Sequence, residues 1–283
     1  MTIRHDEGAL TQRAIPGPAL YFVSTMPAGA PKAVVGIVHG YAEHGARYAH
    51  VMDALAERGI GAVSLDLRGH GRAKGARGHC TRFEEYLDDA AELARLVADR
   101  AQGAPSFLMG HSFGGLVAAL SVLESPRSWR GLALSSPYFG LALQVPGVKI
   151  ALGRVASRFA PRLALPTGLK GSDVTRDEAK ARAYDADPLV FKTATARWFT
   201  ETQVAQGKAL ARAKSLSMPL YVLFGGADRV AKLEDGKRFY DSAGSVDKTW
   251  DERPGHYHEV FNEPLWRAPT ETLGDWLLAH AAA

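Results

Sequence analysis

The sequence predicts an α/β protein: a mostly parallel sheet with helices on both faces and an inserted helical segment. Short apolar runs alternate with longer stretches in which apolar residues recur at helical spacing. The runs are apolar on both faces, as expected of buried parallel strands. This alternation stops after residue 137 and resumes near residue 214. We therefore divide the chain into a first core part (1–137), a helical cap (138–213) and a second core part (214–283).

The elements of the first core part follow from its apolar runs and its helical periodicities. Residues 1–18 form a leader that can pair only at a sheet edge. Strands are predicted at 19–24, 32–38, 60–67, 106–109 and 131–135, and helices at 48–58 and 81–100. Gly59 ends the first of these helices, because glycine readily adopts the left-handed conformation that follows a helix.

In the rest of the chain the alternation of strand and helix patterns is interrupted in the cap and then resumes. In the cap, periodicity predicts helices at 176–184 and 194–213, whereas residues 140–169 hold apolar clusters broken by prolines. The second core part predicts a strand at 219–224, a helix at 232–242, a strand at 248–253 and a helix at 265–280. Parallel strands joined by right-handed crossovers end at one edge of the sheet, and ligands bind beyond that edge.

Composition narrows the classes of function. The chain is 46% hydrophobic and 23% charged, which is ordinary for a soluble globular protein. Its net charge of +4 comes from scattered lysines and arginines, so we predict no nucleic-acid partner. A single cysteine, Cys80, excludes an intrachain disulfide and fits a reducing compartment. The first residues lack a signal-peptide run and no apolar stretch is long enough to span a membrane, so we expect a cytoplasmic protein, with peripheral membrane contact as an alternative.

The stretch from residue 105 to 124 carries the strongest chemical signal. An apolar run at 106–109 is followed by Gly-His-Ser-Phe-Gly at 110–114 and then by apolar residues at helical spacing. A strand, a tight turn and a helix are the context that a nucleophile elbow needs, with Ser112 as the nucleophile. Glycine is required on both sides because the backbone approaches closely there. The alternative is a glycine-rich turn with an incidental serine.

A serine hydroxyl needs a base within hydrogen-bond reach, and the base needs an acid that fixes its tautomer. The chain offers Ser112, Asp228 and His258 in that order. Asp228 follows an apolar strand, and its alternative role is that of an N-cap for the next helix. His256 and His280 are rivals of His258, although His280 falls in the predicted C-terminal helix.

The reaction also requires donors for the charge that develops on the carbonyl oxygen. The backbone amides of Tyr41 and Phe113 are the natural candidates, since one follows a strand end and the other follows the nucleophile. We therefore expect the loops that carry Tyr41, Ser112, Asp228 and His258 to converge in one crevice.

Several motifs together resemble the monoacylglycerol lipases and the lysophospholipase-like serine hydrolases around them. They are HGYAEHGARY at 39–48, DLRGHG at 66–71, GHSFGG at 110–115, GADR at 226–229, YH at 257–258 and, in the cap, DADPLV at 185–190. The resemblance implies the α/β-hydrolase fold with a helical lid, hydrolysis of a lipid-like ester, and no cofactor or metal. It favours His258 as the catalytic histidine, and it implies that Glu43 and Arg47 line or buttress the site of the alcohol.

Two positions depart from the animal enzymes of that family. Tyr41 is bulky where those enzymes have a small residue, and Phe261 stands where they have a second histidine. A general short-chain carboxylesterase is therefore the alternative to a monoacylglycerol or lysophospholipid hydrolase. A non-catalytic ligand-binding protein is a more remote one, and a dehalogenase is disfavoured because its nucleophile would be an aspartate.

The cap is rich in apolar residues that could form an acyl tunnel or pack against one another: Leu141, Leu143, Val145, Val148, Ile150, Leu152, Val155, Phe159, Leu163 and Leu165. Basic residues stand among them, namely Lys149, Arg154, Arg158 and Arg162. Exposed apolar surface beside basic side chains would suit transient contact with an anionic membrane or lipid aggregate. The sequence makes no prediction of the oligomeric state.

Overall fold

The computed structural model describes residues 3–12, 17–126, 129–142 and 147–282, without the side chain of Lys149. The strands are β1 (Ile3–Leu10), β2 (Leu20–Pro27), β3 (Ala33–Val38), β4 (Ile60–Asp66), β5 (Ser106–His111), β6 (Gly131–Ser135), β7 (Ala164–Pro166), β8 (Thr193–Thr195), β9 (Leu220–Gly225) and β10 (Lys248–Arg253). The helices are α1 (Ala49–Ala56), α2 (Glu84–Ala101), α3 (Phe113–Glu124), α4 (Gly147–Phe159), α5 (Gly171–Val174), α6 (Glu178–Ala186), α7 (Ala196–Arg212), α8 (Leu233–Ser242) and α9 (Arg267–Ala282).

The described residues form a central sheet of eight strands in the order β1-β2-β4-β3-β5-β6-β9-β10. From β4 to β10 the neighbouring strands are parallel, which confirms the predicted fold class. β1 and β2 are antiparallel additions at one side. The leader therefore supplies an edge strand, because β1 pairs with β2 alone.

The sheet is covered by helices on both faces, and successive residues of each central strand alternate between them. In β3, Val34 packs into the apolar cluster that includes Leu93 of α2. Its neighbour Val35 packs into the opposite cluster, which includes Leu55 of α1 and Leu277 of α9. Since both faces are buried, the central strands read as continuous apolar runs rather than as alternating ones.

The segment between β6 and β9 holds α4 to α7 and a small antiparallel pair of strands, β7 and β8. The helices predicted at 176–184 and 194–213 correspond to α6 and α7. α4 was not predicted, because Pro146 and Pro161 appeared to break the segment although they stand on either side of the helix. The cap boundaries at 138 and 213 stay a prediction, since Ala205 and Ala209 of α7 belong to the main core cluster.

Most of the apolar residues named above as a possible acyl tunnel are on the surface. Six of them are exposed rather than packed: Val148, Leu152, Val155, Phe159, Leu163 and Leu165. Leu143 and Val145 lie outside the described residues. These six side chains therefore form an outer apolar surface and not the lining of an enclosed tunnel. Among the described helices, none has the length and apolarity needed to cross a membrane.

Candidate active site

Ser112 occupies the sharp turn between β5 and α3. Its backbone has φ +52° and ψ −120°, a conformation that non-glycine residues rarely adopt and that clusters at functional sites. A Cβ at Gly110 would lie 2.3 Å from the carbonyl oxygen of Gly114, and one at Gly114 would lie 2.2 Å from that of Val38. Only glycine fits at either position, so the sequence pattern does mark a strained elbow.

Asp228 and His258 are brought together by the loops after β9 and β10. The Asp228 Oδ2 and His258 Nδ1 atoms lie 2.7 Å apart, and both side chains are buried. Asp228 Oδ1 accepts hydrogen bonds from the amides of Val230 (2.8 Å) and Ala231 (3.0 Å). These amides hold the carboxylate in a turn. The N-cap interpretation is wrong, because α8 begins at Leu233 after Lys232.

The elbow, the Tyr41 turn and the His258 loop meet at one point. A Cβ at Gly40 would lie 3.4 Å from the Ser112 Cβ and 3.2 Å from the His111 ring. The ring centroids of His111 and His258 are 4.8 Å apart. These three loops therefore lie together, and the Asp228 loop joins them through its contact with His258.

The rival histidines lie elsewhere. His280 on α9 contacts the Trp276 carbonyl (2.7 Å) and Asp247 (3.0 Å). His256 is half-buried, and within the described part of the chain its Nδ1 has no hydrogen-bond partner. Neither ring is paired with Asp228.

The two predicted oxyanion donors flank the elbow. Phe113 is the first residue of α3, where amide groups lack intrahelical acceptors and the helix dipole favours negative charge. The neighbouring amide of Gly40 is already bonded to Glu43 Oε1 at 2.6 Å. Over the described ranges, the amides of Tyr41 and Phe113 have no such acceptor. Neither amide is therefore bonded to another described protein group, and their role as oxyanion donors stays a prediction.

Glu43 stabilises the turn that carries Tyr41. Besides the Gly40 amide it accepts hydrogen bonds from the Tyr48 hydroxyl (2.8 Å) and from Arg47. Burial would raise the pKa of the Glu43 carboxyl, but Arg47 and the nearby donors lower it to about 2. The carboxylate is thus ionised at neutral pH.

Arg47 links that turn to the loop of His258. Its guanidinium binds Glu259 through two parallel hydrogen bonds of 2.7 Å, and Glu259 also accepts one from Asn262 (2.8 Å). Sequence reasoning placed Glu43 and Arg47 near the site but missed Glu259. The only sequence signal for Glu259 was its place directly after His258. Its partner Arg47 lies 212 positions away, and no local sequence pattern links the two residues.

Replacing Arg47 with methionine should destabilise the protein by about 3–5 kcal/mol, because two buried carboxylates lose their shared counter-charge. The free energy of unfolding in urea measures this. The matched control is Arg182→Met, which removes an exposed pair with Glu178 and should cost under about 1 kcal/mol. A loss at Arg47 no larger than the control loss would mean that the network does not support the fold.

The buried histidines around the elbow differ in charge state. Burial, reinforced by the charge of His258, lowers the pKa of His111 to about 4. Burial lowers the pKa of His70 to about 3. Burial also acts on His258, but the Asp228 carboxylate outweighs it, and the pKa of His258 is raised above its ordinary value. His258 therefore binds a proton more tightly than an ordinary histidine, whereas His111 and His70 bind one more weakly.

Other chemistries find little support in the described residues. No group of three or more His, Cys, Asp or Glu side chains among them is placed to hold a metal ion. The absence of a metal or cofactor stays a prediction. Burial raises the pKa of the Cys80 thiol to about 12, so this side chain is a poor nucleophile.

Residues 29–265 match the family described as Serine aminopeptidase, S33. The chain is 32% identical over 251 residues to a monoacylglycerol lipase of Mycolicibacterium smegmatis, covering 88% of this chain and 89% of that protein. It is 33% identical over 243 residues to phospholipase YtpA of Bacillus subtilis, covering 85% and 93%. The crystal structure of the Paleococcus ferrophilus monoacylglycerol lipase matches with a TM-score of 0.83 at 30% identity, covering 92% and 99%.

These matches extend over most of the chain, including the segment between β6 and β9. The matched range of 29–265 includes the loops of Ser112, Asp228 and His258. The order of strands and helices and the sequence similarity therefore indicate the same family. The chain belongs to the serine aminopeptidase S33 family of α/β-hydrolases, together with monoacylglycerol lipases.

Proposed function

We propose that the protein is a serine hydrolase that cleaves carboxylic esters of lipid type through an acyl-enzyme intermediate. The observation that carries this proposal is the buried 2.7 Å pair of Asp228 and His258 beside the strained Ser112 elbow. Strained backbone, a buried acid–histidine pair and free amides are the parts that acyl transfer requires.

In this mechanism Ser112 Oγ attacks the ester carbonyl while His258 Nε2 takes the hydroxyl proton. Asp228 holds the Nδ1 proton and stabilises the imidazolium that forms. The amides of Tyr41 and Phe113 bind the developing oxyanion. His258 then protonates the leaving alcohol, and it later activates the water that releases the fatty acid. Glu43 and Arg47 support the two loops without taking part in bond breaking.

The relatives and the surface of the cap both favour a lipid-like substrate. The relatives named monoacylglycerol lipase and phospholipase suggest a monoacylglycerol or a lysophospholipid as substrate. On α4, Leu152 and Phe159 are 63% and 78% exposed, and Val148 and Val155 share their face. Exposed Arg154 and Arg158 lie on the same helix. We take this as the surface by which the cap (138–213) touches lipid aggregates or an anionic membrane.

A substrate series tests the proposed activity. Monoacylglycerols, lysophosphatidylcholines and p-nitrophenyl esters are compared at short, medium and long acyl lengths. We expect kcat/KM to rise with acyl length and to be highest for a monoacyl lipid. A maximum at the shortest p-nitrophenyl ester would identify a general carboxylesterase instead. No turnover of any ester would favour the non-catalytic alternative.

Vesicle binding tests the proposed lipid contact through the cap. The double variant L152Q/F159Q should bind anionic phosphatidylglycerol vesicles at least about ten-fold more weakly, since it removes two exposed apolar side chains from the contact. Its turnover of a monomeric short ester should stay unchanged. Val246→Gln is the control, because Val246 is 100% exposed but lies outside the cap. Equal partitioning of the double variant and the control would contradict the proposed contact.

A further inference from the structure

Tyr41 provides an oxyanion amide in the proposed mechanism, and its side chain extends into the insertion. Its hydroxyl donates a hydrogen bond to the Thr193 carbonyl at 2.8 Å. Its ring lies on the indole of Trp198, with centroids 3.7 Å apart and planes tilted by 32°. Both partners belong to the segment that runs from β8 into α7. The bulky side chain therefore connects the turn to the cap.

The other oxyanion residue joins the same group of rings. The Phe113 ring meets Tyr41 edge-on at 5.9 Å and Trp198 at 5.3 Å. Phe191, just before β8, meets Tyr41 edge-on at 5.3 Å. One cap tryptophan thus contacts the side chains of both residues whose amides face the site.

Backbone and polar contacts reinforce this connection. The Phe191 amide donates to the Ala42 carbonyl at 3.1 Å. His44 Nε2 lies 2.9 Å from Asp187 Oδ2. Between them, residues 187–198 hold the turn of residues 40–44 at four places: through Asp187, Phe191, Thr193 and Trp198.

The turn needs such support. Ala42 has φ +65°, a left-handed conformation that a residue with a Cβ keeps only when its surroundings enforce it. Gly78 leaves room for the Tyr41 hydroxyl, because a Cβ at position 78 would lie 2.5 Å from that oxygen. Burial raises the pKa of Tyr41, so the hydroxyl keeps its proton and remains a donor.

We propose that the Tyr41 side chain is a positioning residue through which the seated cap segment 187–198 holds the Tyr41 amide in place for the oxyanion. The inference rests on the proposed function. It makes catalysis depend on the cap beyond any role in binding lipid. A cap that shifts away from the turn releases the Tyr41 hydroxyl and ring together, and the amide loses its orientation. The defect falls on the transition state, because the amide is needed most when charge develops.

The test compares two tyrosine hydroxyls. Tyr41→Phe should lower kcat about ten-fold with KM within about two-fold, since a misplaced donor costs rate rather than ground-state binding. Binding of an alkyl trifluoromethyl ketone should weaken by a similar factor, because its adduct with Ser112 places an oxyanion against the same amides. Tyr86→Phe is the matched control. Its buried hydroxyl also bonds a loop carbonyl, that of His79 at 3.3 Å, but Tyr86 lies on α2. That variant should keep kcat.

A change on the cap side gives the second arm. Trp198→Phe should reproduce the kcat defect, and the double variant with Tyr41→Phe should lose less than the product of the two single losses. Full kcat in Tyr41→Phe, or losses that multiply, would overturn the inference while leaving wild-type turnover intact. A wild-type protein that neither hydrolyses esters nor binds the ketone would instead overturn the proposed function.

Discussion

Replacing Ser112 with alanine is expected to lower kcat for ester hydrolysis by about a million-fold and to abolish labelling by a fluorophosphonate. The change removes only the hydroxyl oxygen, and the elbow keeps its fold because alanine meets the same backbone demand at φ +52°. What remains is the rate that the oxyanion amides and binding provide alone. Initial rates on a monoacylglycerol and gel-based labelling measure the two effects.

Ser121→Ala is the control for this change, because Ser121 is also buried and lies on α3 beyond the elbow. It should keep both activity and labelling. Labelling that persists in Ser112→Ala at the wild-type rate would place the nucleophile elsewhere and refute the assignment of Ser112.

Replacing Asp228 with asparagine is expected to lower kcat about ten-thousand-fold while leaving the fold intact. The amide is nearly isosteric with the carboxylate. It can still meet the amides of Val230 and Ala231 through its oxygen, but its NH2 group then faces His258 Nδ1. That contact stabilises the tautomer with the proton on Nε2, which cannot accept the serine proton.

The pH profile provides a second readout of the same variant. In the proposed mechanism hydrolysis needs neutral His258, so we expect activity to fall as the pH drops through the pKa of this ring. Although burial lowers that pKa, Asp228 raises it above the ordinary value in the native protein. The residual activity of Asp228→Asn should therefore decline only at a lower pH than wild type. Asp241→Asn, an exposed change at the end of α8, should leave the profile unmoved. An unshifted acidic limb in Asp228→Asn would mean that this carboxylate does not control His258.

The elbow and the core strands could be predicted from sequence because their physical demands are local. Gly110 is fixed by a close contact within the turn and Gly114 by one with the end of β3, and the two glycines leave a recognisable sequence pattern. The strands are fixed by burial on both faces, which leaves continuous apolar runs. Asp228 and His258 lie three and five residues after the ends of β9 and β10, and strand ends share one edge of the sheet, so their closeness could be predicted. The choice of His258 over His256 also needed the family resemblance, and the catalytic roles stay a prediction.

The features that sequence reasoning missed depend on distant partners. α4 keeps an exposed apolar face, so its periodicity does not reflect burial, and the flanking prolines suggested an irregular segment. Glu259 links its loop to the Tyr41 turn only through its contact with Arg47. The proposed positioning role of Tyr41 depends on Thr193, which lies 152 positions away. No local pattern encodes such contacts.

The neighbouring residues His258 and Glu259 are held from two sides. One side chain is tied to Asp228 and the next to Arg47, so the peptide between them is fixed by opposed anchors. In the proposed two-step mechanism the His258 imidazole acts on an alcohol first and on a water molecule afterwards. A ring fixed in this way can act on both reactants from one position, so hydrolysis of the acyl-enzyme would require no reorientation of His258.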